Sequence, residues 1–191
     1  MILSTDSEMN RRTLLYALGA ASITTMLVPA ATQAGKIAVA KPGESRFAYS
    51  SAQQAALSPC KLTAEDSTGL LSIFELKVPS RSGPVRHVHR REDEWICVMS
   101  GQFTFEIGDQ KLELTPGGSV WMPRELPHVW ANMTQSDGKL LVACQPGGFE
   151  RFFNELSTIP TSTLSLLKQV LAKYGMKYLG PPLFGPWRDE H

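Results

Sequence analysis

The stretch that decides the fold reads GPVRHVHRREDEWICVMSG and covers residues 83–101. It holds two histidines, His87 and His89, separated by one residue. Side chains alternate along an extended backbone, so the two imidazoles point to the same side if this segment is a strand. Glu94 follows after a short charged turn and begins an apolar run. The spacing predicts two strands, joined by a turn, that bring two imidazoles and a carboxylate together.

The third internal histidine, His128, comes much later and follows a proline-containing loop, while His191 is the last residue. Every internal histidine therefore belongs to one group. Neutral imidazoles bind first-row transition metals, and one carboxylate offsets part of a divalent charge while leaving coordination positions open. We predict a metal site whose ligands are His87, His89, Glu94 and His128. The alternative is a pair of exposed turn histidines with an unrelated histidine in the core.

Three acidic residues, Glu92, Asp93 and Glu94, are close enough in sequence to supply the carboxylate. Glu94 falls on one face with alternate apolar residues of the run that follows it, which directs it towards the interior. Glu92 has the same parity but lies in the turn, where we expect it to be solvated. A carboxylate beside a metal-bound hydroxyl can take its proton, because the metal lowers the pKa of that hydroxyl. Glu94 is therefore the candidate for both ligand and catalytic base.

The composition suits one well-packed domain. The chain has 191 residues, of which 42% are hydrophobic, and a net charge of +1. Without a long basic run, nucleic acid and anionic membrane surfaces are not expected as partners. The three cysteines, Cys60, Cys97 and Cys144, have no metal-binding spacing. We expect them to be small buried apolar residues, with one disulfide and a leftover thiol as the alternative.

Residues 1–40 have the layout of an export signal. Arg11 and Arg12 precede an apolar stretch that is followed by small residues. The string NRRTLL resembles the twin-arginine (Tat) leader, which the Tat export machinery reads as an address. Cleavage after Ala34 or Ala40 would release a periplasmic or secreted protein with no stable membrane insertion. The alternative is an uncleaved anchor, since the apolar stretch is near the lower limit of about 18 residues for a membrane span.

From residue 41 onward the sequence reads as short strands joined by Gly and Pro turns. Alternation is clear in residues 103–107, whereas residues 95–99 are apolar on both parities, which predicts a strand covered on both faces. Eight or so strands at this spacing favour an all-β fold, a sandwich or jelly-roll barrel, over residues 41–158.

The pattern changes towards the C-terminus. Residues 149–156 fit a short helix, and residues 162–174 carry leucines at helical spacing before Gly175, a residue suited to end a helix. We expect residues 159–191 to form a helix and tail, with the leucine face packed on the barrel.

Two segments carry a family resemblance. The first segment reads Gly-x-x-x-His-x-His-x-x-x-x-Glu, then six residues and Gly101, and it resembles the first motif of the cupins, although the family usually has five residues between the first Gly and His. The second runs from Gly117 through Pro123 and His128 to Asn132, with Glu125 where the family usually has Gly. The resemblance implies a double-stranded β-helix, the jelly-roll barrel of cupins.

Further strings are similar to the quercetin 2,3-dioxygenase-like cupins. They are Pro123-Arg124 with Leu126-Pro127-His128, PGGFERFF at residues 146–153, and GPPL at residues 180–183. We expect the two C-terminal strings to serve packing. This resemblance implies a dioxygenase in which Glu94 binds the metal and accepts the proton of a substrate hydroxyl. The implied cofactor is one divalent transition metal, Fe, Mn, Ni, Co or Cu.

The resemblance also implies the partners, dioxygen and a flavonol, enol or phenol. Metal-dependent isomerase or lyase activity and non-catalytic binding of a metal or small molecule remain alternatives, and a homodimer is possible. We expect an apolar pocket lined by Phe74, Ile96, Val98, Phe103, Phe105 and Trp130, although alternating aromatic residues on a strand more often fill a core. Asn132 is expected to support its loop or to orient His128.

Overall fold

Ten β-strands and three short α-helices make up the part of the chain that the computed structural model describes, residues 37–159 and 163–184. The strands are β1 (Cys60–Leu62), β2 (Ser72–Val78), β3 (Arg86–His89), β4 (Asp93–Ser100), β5 (Phe103–Ile107), β6 (Gln110–Leu114), β7 (Ser119–Met122), β8 (His128–Asn132), β9 (Gly138–Gln145) and β10 (Met176–Gly180). The helices are α1 (Ala52–Leu57), α2 (Glu150–Leu156) and α3 (Leu164–Lys173). Residues 1–36 of the proposed leader lie outside the described residues.

The strands form two antiparallel sheets of five strands each. Sheet I has the order β1-β2-β9-β4-β7, and sheet II has the order β10-β3-β8-β5-β6. Apart from the consecutive pairs β1-β2 and β5-β6, neighbouring strands in each sheet are not consecutive in sequence, as in a jelly roll. The predicted all-β fold is confirmed: the chain forms a double-stranded β-helix. Its core lies between the sheets and includes Phe74, Phe103 and Phe105, all fully buried.

Sheet I is buried on its inner face only. On β4, Glu94, Ile96 and Val98 are buried, whereas Met99 is 52% exposed. The prediction that residues 95–99 form a strand covered on both faces was therefore wrong. The apolar residues of the other parity lie on an outer face, where Trp95 is paired with Trp121, which is 51% exposed.

The C-terminal part of the chain completes the barrel. Both predicted helices are present, and Gly175 ends α3 with a φ of +77°, a conformation that glycine adopts without strain. The strand β10 was not expected from the sequence, and it pairs with β3 at the edge of sheet II. Buried Leu167 and Leu171 face the core from α3, as the leucine spacing predicted.

The start of α2 is fixed by a buried carboxylate. Glu150 is 3% exposed, and it accepts hydrogen bonds from the backbone N–H of Ala64 and the hydroxyl of Ser72 on β2. The same hydroxyl accepts a hydrogen bond from the backbone N–H of Gly148. A buried carboxylate with its partners in place is costly to disturb. These contacts hold α2 against sheet I at one end of the barrel.

The three cysteines are free thiols, as expected. Cys60 and Cys144 are buried, and burial raises the pKa of Cys60 to about 12. Cys97 is only partly buried, on the outer face of β4. Within residues 37–159 and 163–184, no helix has the length and apolar character needed to cross a membrane.

Candidate metal centre

The three internal histidines meet on neighbouring strands of sheet II. His87 and His89 lie on β3 with one residue between them, and His87 is paired in register with His128 on β8. The ring centroids of His87 and His128 are 4.5 Å apart, and the rings of His89 and His128 are stacked at 5.5 Å. All three side chains are buried, and their ligand atoms lie within 4.8 Å of one another. This three-histidine group could bind a metal ion.

Each imidazole is oriented by a contact through its Nδ1 atom. The Nδ1 atom of His87 lies 2.7 Å from the carbonyl oxygen of Val85, and that of His128 lies 3.0 Å from the carbonyl oxygen of Leu126. A carbonyl oxygen can only accept, so both Nδ1 atoms carry the proton and donate it. In a neutral imidazole this leaves a lone pair on Nε2, the atom that faces the group.

His89 is oriented in the same way by a carboxylate. Its Nδ1 atom lies 3.4 Å from Glu92 Oε2, and the Glu92 side chain is only 13% exposed. The expectation that Glu92 is a solvated turn residue was therefore wrong. The neighbouring residue, Asp93, forms an ion pair with Arg124 at the surface. Sequence parity could not show that the turn folds the Glu92 side chain back onto His89.

The donor atoms fit a cation. The Nε2 atoms of His87 and His89 are 3.0 Å apart, and two lone pairs at that distance repel each other unless a proton or a metal ion lies near both. Burial, together with the neighbouring His128 and His89, holds the pKa of His87 well below its ordinary value, which disfavours the proton. A divalent transition metal would satisfy all three nitrogens.

Glu94 faces the histidines from the other sheet. It lies on β4, and its Oε2 atom is 3.5 Å from the Nε2 atom of His128. These two atoms are the buried side-chain polar atoms without a hydrogen-bond partner within the described parts of the chain. Such orphans are rare in folded proteins and point to a missing ligand. The geometry fits the predicted role of Glu94 as fourth ligand, which stays a prediction.

The pKa of Glu94 reflects two opposing effects. Burial alone would raise it, because the charged form loses its hydration, while the contact with His128 and the electrostatic influence of His89 and His128 lower it. The net shift is below the ordinary value for a glutamate. Glu94 is therefore ionised at neutral pH and can accept a proton.

An apolar cavity opens from this centre, with about 710 Å³ of space including its open mouth. Its polar end is formed by His87, His89 and Glu94. The barrel contributes Leu76, Pro84, Val85 and Trp130. The remaining lining comes from the C-terminal segment and is called the C-terminal wall below: Phe149, Phe152, Phe153, Leu156, Leu167, Leu171 and Met176. The ring of Phe149 lies 5.2 Å from that of His89, so this wall begins beside the histidines.

One of the six predicted pocket residues lines the cavity, and the other five lie in the core. Of the six, Trp130 lines the cavity. The others are fully buried in the core and do not line it: Phe74, Ile96, Val98, Phe103 and Phe105. They have the core-filling role that was the alternative. The C-terminal wall was missed because its residues were assigned to packing, although the PGGFERFF string marked part of it.

Asn132 supports a loop and not a histidine. Asn132 is fully buried. Its Nδ2 atom donates to the carbonyl oxygens of Val78, Pro79 and Ser136, and its Oδ1 atom accepts hydrogen bonds from Thr134. No contact between Asn132 and His128 is found in the described structure. Of its two expected roles, the loop role fits these contacts.

Two positions in the family motifs, Glu125 and Gly83, have structural explanations. Glu125 has a φ of +65°, so the turn before His128 keeps the left-handed backbone that a glycine would adopt there. Gly83 packs so closely that a Cβ atom would lie 2.0 Å from the carbonyl oxygen of Trp130, which only glycine can avoid. Both positions fix the loops that carry the ends of β3 and β8.

Comparisons with known proteins agree with this architecture. Residues 73–144 match the family model described as Cupin_2, cupin domain. No curated protein is similar enough in sequence to match. Among solved structures, KdgF from Halomonas sp. is 21% identical, with 49% of this chain and 81% of that chain covered and a TM-score of 0.44.

Two further solved structures are similar at the same level. TT1209 from Thermus thermophilus is 18% identical, with 58% of this chain and 98% of that chain covered and a TM-score of 0.44. An RmlC-like cupin family protein from Methanocaldococcus jannaschii is 16% identical, with 41% and 72% covered and a TM-score of 0.38. At these identities and TM-scores, nothing about the activity of this chain follows from the likeness. The two motifs and the double-stranded β-helix agree with the family match, and the part of the chain that matches a cupin domain is residues 73–144.

Proposed function

We propose that this protein is a mononuclear metal-dependent dioxygenase that acts on an enol or phenol. The observation that carries the proposal is the meeting of three Nε2 atoms and an unpaired carboxylate oxygen at the end of an apolar cavity. His87, His89 and His128 would hold the metal, with Glu94 as a fourth ligand. Bound there, a divalent Fe, Mn, Ni, Co or Cu ion supplies Lewis acidity and reactivity towards dioxygen.

The role of Glu94 follows from its surroundings. Its Oε2 atom has no hydrogen-bond partner and lies next to His128, at the polar end of the cavity. A substrate hydroxyl bound there can transfer its proton to this oxygen, which leaves the substrate as an electron-rich oxyanion. Proton transfer to a positioned carboxylate typically contributes a factor of about 10² to 10⁴ in rate.

The cavity supports the same chemistry through its shape. Its apolar lining excludes water from the reacting end, which strengthens the electrostatic interaction between Glu94 and the substrate. Trp130, Phe149 and Phe153 place aromatic rings in the lining, which suits a flat aromatic substrate. Among the described lining residues, Glu94 is the one carboxylate, so one proton acceptor serves the site.

Metal analysis and oxygen uptake test the proposal. The purified protein should hold about one equivalent of Fe, Mn, Ni, Co or Cu. It should also consume dioxygen with a flavonol or a catechol. Zinc alone, after expression with all these metals supplied, would contradict the dioxygenase. A bound metal with no oxygen uptake would favour a binding protein, and conversion of a substrate without oxygen uptake would favour an isomerase or lyase.

We also propose that the protein is exported by the Tat route and acts in the periplasm or outside the cell. The support is the NRRTLL string in the leader. Replacing Arg11 and Arg12 together by lysine should leave the protein in the cytoplasm, as measured by immunoblots of cell fractions. Unchanged export of this double variant would contradict the Tat route.

A further inference from the structure

The cavity holds its polar groups at one end only. His87, His89 and Glu94 form that end, which is called the metal end below, and the lining beyond them is aliphatic or aromatic. In that apolar part, the side-chain polar atoms are the indole N–H of Trp130 and the weakly accepting sulfur of Met176. No lysine or arginine is found among the described residues that line the cavity.

The helices α2 and α3 carry three cations, Arg151, Lys168 and Lys173, and the two lysines are engaged with neighbours. Lys173 pairs with Glu155, and Lys168 lies 4.4 Å from the centre of the Tyr178 ring. Neither lysine lines the cavity. A negative charge on the part of a bound ligand beyond His87, His89 and Glu94 would therefore face apolar side chains. Burying a charge without a partner is strongly unfavourable.

We infer that the substrate has a single polar head, one hydroxyl that enters the metal end, and an uncharged, largely apolar body that lies along the C-terminal wall. Carboxylate, phosphate or additional hydroxyl groups on that body are selected against. The inference rests on the proposed function for the head alone. The selectivity along the body follows from the cavity lining and holds for a binding protein as well.

The physical reason is that a polar group of the ligand loses its hydration in the cavity and finds few hydrogen-bond partners there, whereas apolar surface gains from leaving water. An apolar body gains about 25 cal/mol for each Å² removed from water. An added hydroxyl finds at most the Trp130 N–H or the Met176 sulfur, so we expect it to weaken binding by about 10- to 100-fold. A carboxylate added to the body, away from the metal, finds no cation among the lining side chains, so we expect a loss of at least about 100-fold.

A matched series of ligands tests the inference. The probes are 3-hydroxyflavones that carry a methyl, a hydroxyl or a carboxylate group at the 4′ position, remote from the 3-hydroxyl. Their dissociation constants are measured by calorimetry on the metal-loaded, full-length protein without oxygen, so that turnover plays no part. The expected order of affinity is methyl, then hydroxyl, then carboxylate, with the losses given above.

A charge placed in the wall sharpens the test. Leu156 is half-buried at the end of α2 and lines the cavity, whereas Leu166 on α3 is 36% exposed and does not. Leu156→Arg should improve binding of the carboxylate probe by about 10-fold or more relative to the methyl probe, because it supplies the missing cation. Leu166→Arg adds the same charge away from the cavity and should leave the order unchanged.

Each outcome decides one question. Equal affinity for the methyl and carboxylate probes, or failure of the methyl probe to bind, would overturn the inference. An equal gain from both arginine variants would show that net charge, and not the wall, controls selectivity. If the selectivity holds but bound probes give no oxygen uptake when air is admitted, the proposed dioxygenase fails and the inference stands.

Discussion

The metal end of the cavity and the C-terminal wall differ in how their residues are specified. At the metal end each side chain is fixed through a particular atom, as when His87 and His128 donate from Nδ1 to backbone carbonyls. In the wall, contact is between whole rings: Phe149 and Phe152 have centroids 4.8 Å apart at an interplanar angle of 31°. The metal end lies within the cupin match, while the wall follows it in sequence.

This difference implies a division of labour. A substitution at the metal end removes a ligand or a proton acceptor, which other atoms cannot replace. A substitution in the wall changes area and shape, and neighbouring apolar side chains can partly adjust. The metal end should therefore control whether the reaction occurs, and the wall should control which molecules enter. The variants below test this separation, beginning with the largest expected effect.

His128→Ala should abolish metal binding and turnover together. It removes one of three nitrogen ligands on adjacent strands and leaves Glu94 Oε2 without the histidine that faces it. The metal content after purification is the direct measurement, with oxygen uptake as the second. His191→Ala is the matched control, since it removes the terminal histidine. Turnover retained in His128→Ala would refute the whole site assignment.

Glu94→Gln should lower turnover by about 10² to 10⁴-fold. The amide has nearly the same shape but cannot take a proton, so the expected loss is in kcat. Some metal should remain, because the three histidines are intact. Glu113→Gln on β6, an exposed site away from the cavity, is the control. An unchanged kcat in Glu94→Gln would exclude Glu94 as the base.

Glu92→Gln should weaken metal binding by about 10-fold, with little effect on folding. The carboxylate faces Nδ1 of His89, and its negative charge makes the opposite nitrogen a better ligand. Competition with a chelator measures the affinity, and Glu113→Gln again serves as the control. If Glu92 were only a turn residue, the variant would bind the metal as tightly as the original protein.

The wall should respond more mildly. Phe153→Leu removes a ring that lines the cavity, and a contact between two aromatic rings contributes about 0.5–1.5 kcal/mol beyond its buried area. We expect the dissociation constant of 3-hydroxyflavone to rise by about 3- to 10-fold while the metal content stays the same. Loss of metal from this variant would show that the two regions are not separable.

The metal end could be predicted from sequence because its geometry is local. Two histidines at a spacing of two on a strand must share a face, and parity selected Glu94 among three acids. His128 was included because it is the third internal histidine, and the second family motif supported it, whereas the register between β3 and β8 is not visible in spacing. Glu92 shows the limit: parity holds only along a strand, and the side chain of a turn residue can fold in either direction.

The wall could not be predicted for a different physical reason. Helical spacing shows that Leu167 and Leu171 share a face but not which surface that face covers. Packing against a sheet and lining a cavity bury the same residues. The apolar outer face of sheet I misled in the same way, because Trp95 and Met99 carry no signal that separates a buried face from an exposed one.

The smallest expected effect concerns the ion pair of Asp93 and Arg124 beside the metal end, which is called the rim below. Asp93, beside Glu94, pairs with Arg124 in the loop that leads to His128, and this contact holds the pKa of Asp93 at about 2. Because the folded pKa lies below the unfolded value, the pair stabilises the fold above about pH 4 and loses that effect as the pH falls towards 2. Solvent screens the pair, so Asp93→Asn should lower Tm by no more than about 4 °C at pH 7.

The difference in Tm between the two proteins should shrink at pH 3, as measured by thermal unfolding of the metal-free forms. The metal content of Asp93→Asn should be unchanged, because His128 is oriented by the carbonyl of Leu126 and not by the rim. A difference in Tm that is constant from pH 7 to pH 3 would mean that the negative charge of Asp93 does not contribute to stability and that only the packing of its side chain does. A loss of metal would mean that the rim positions the ligands, and the metal end would then extend further along this loop than the histidine contacts indicate.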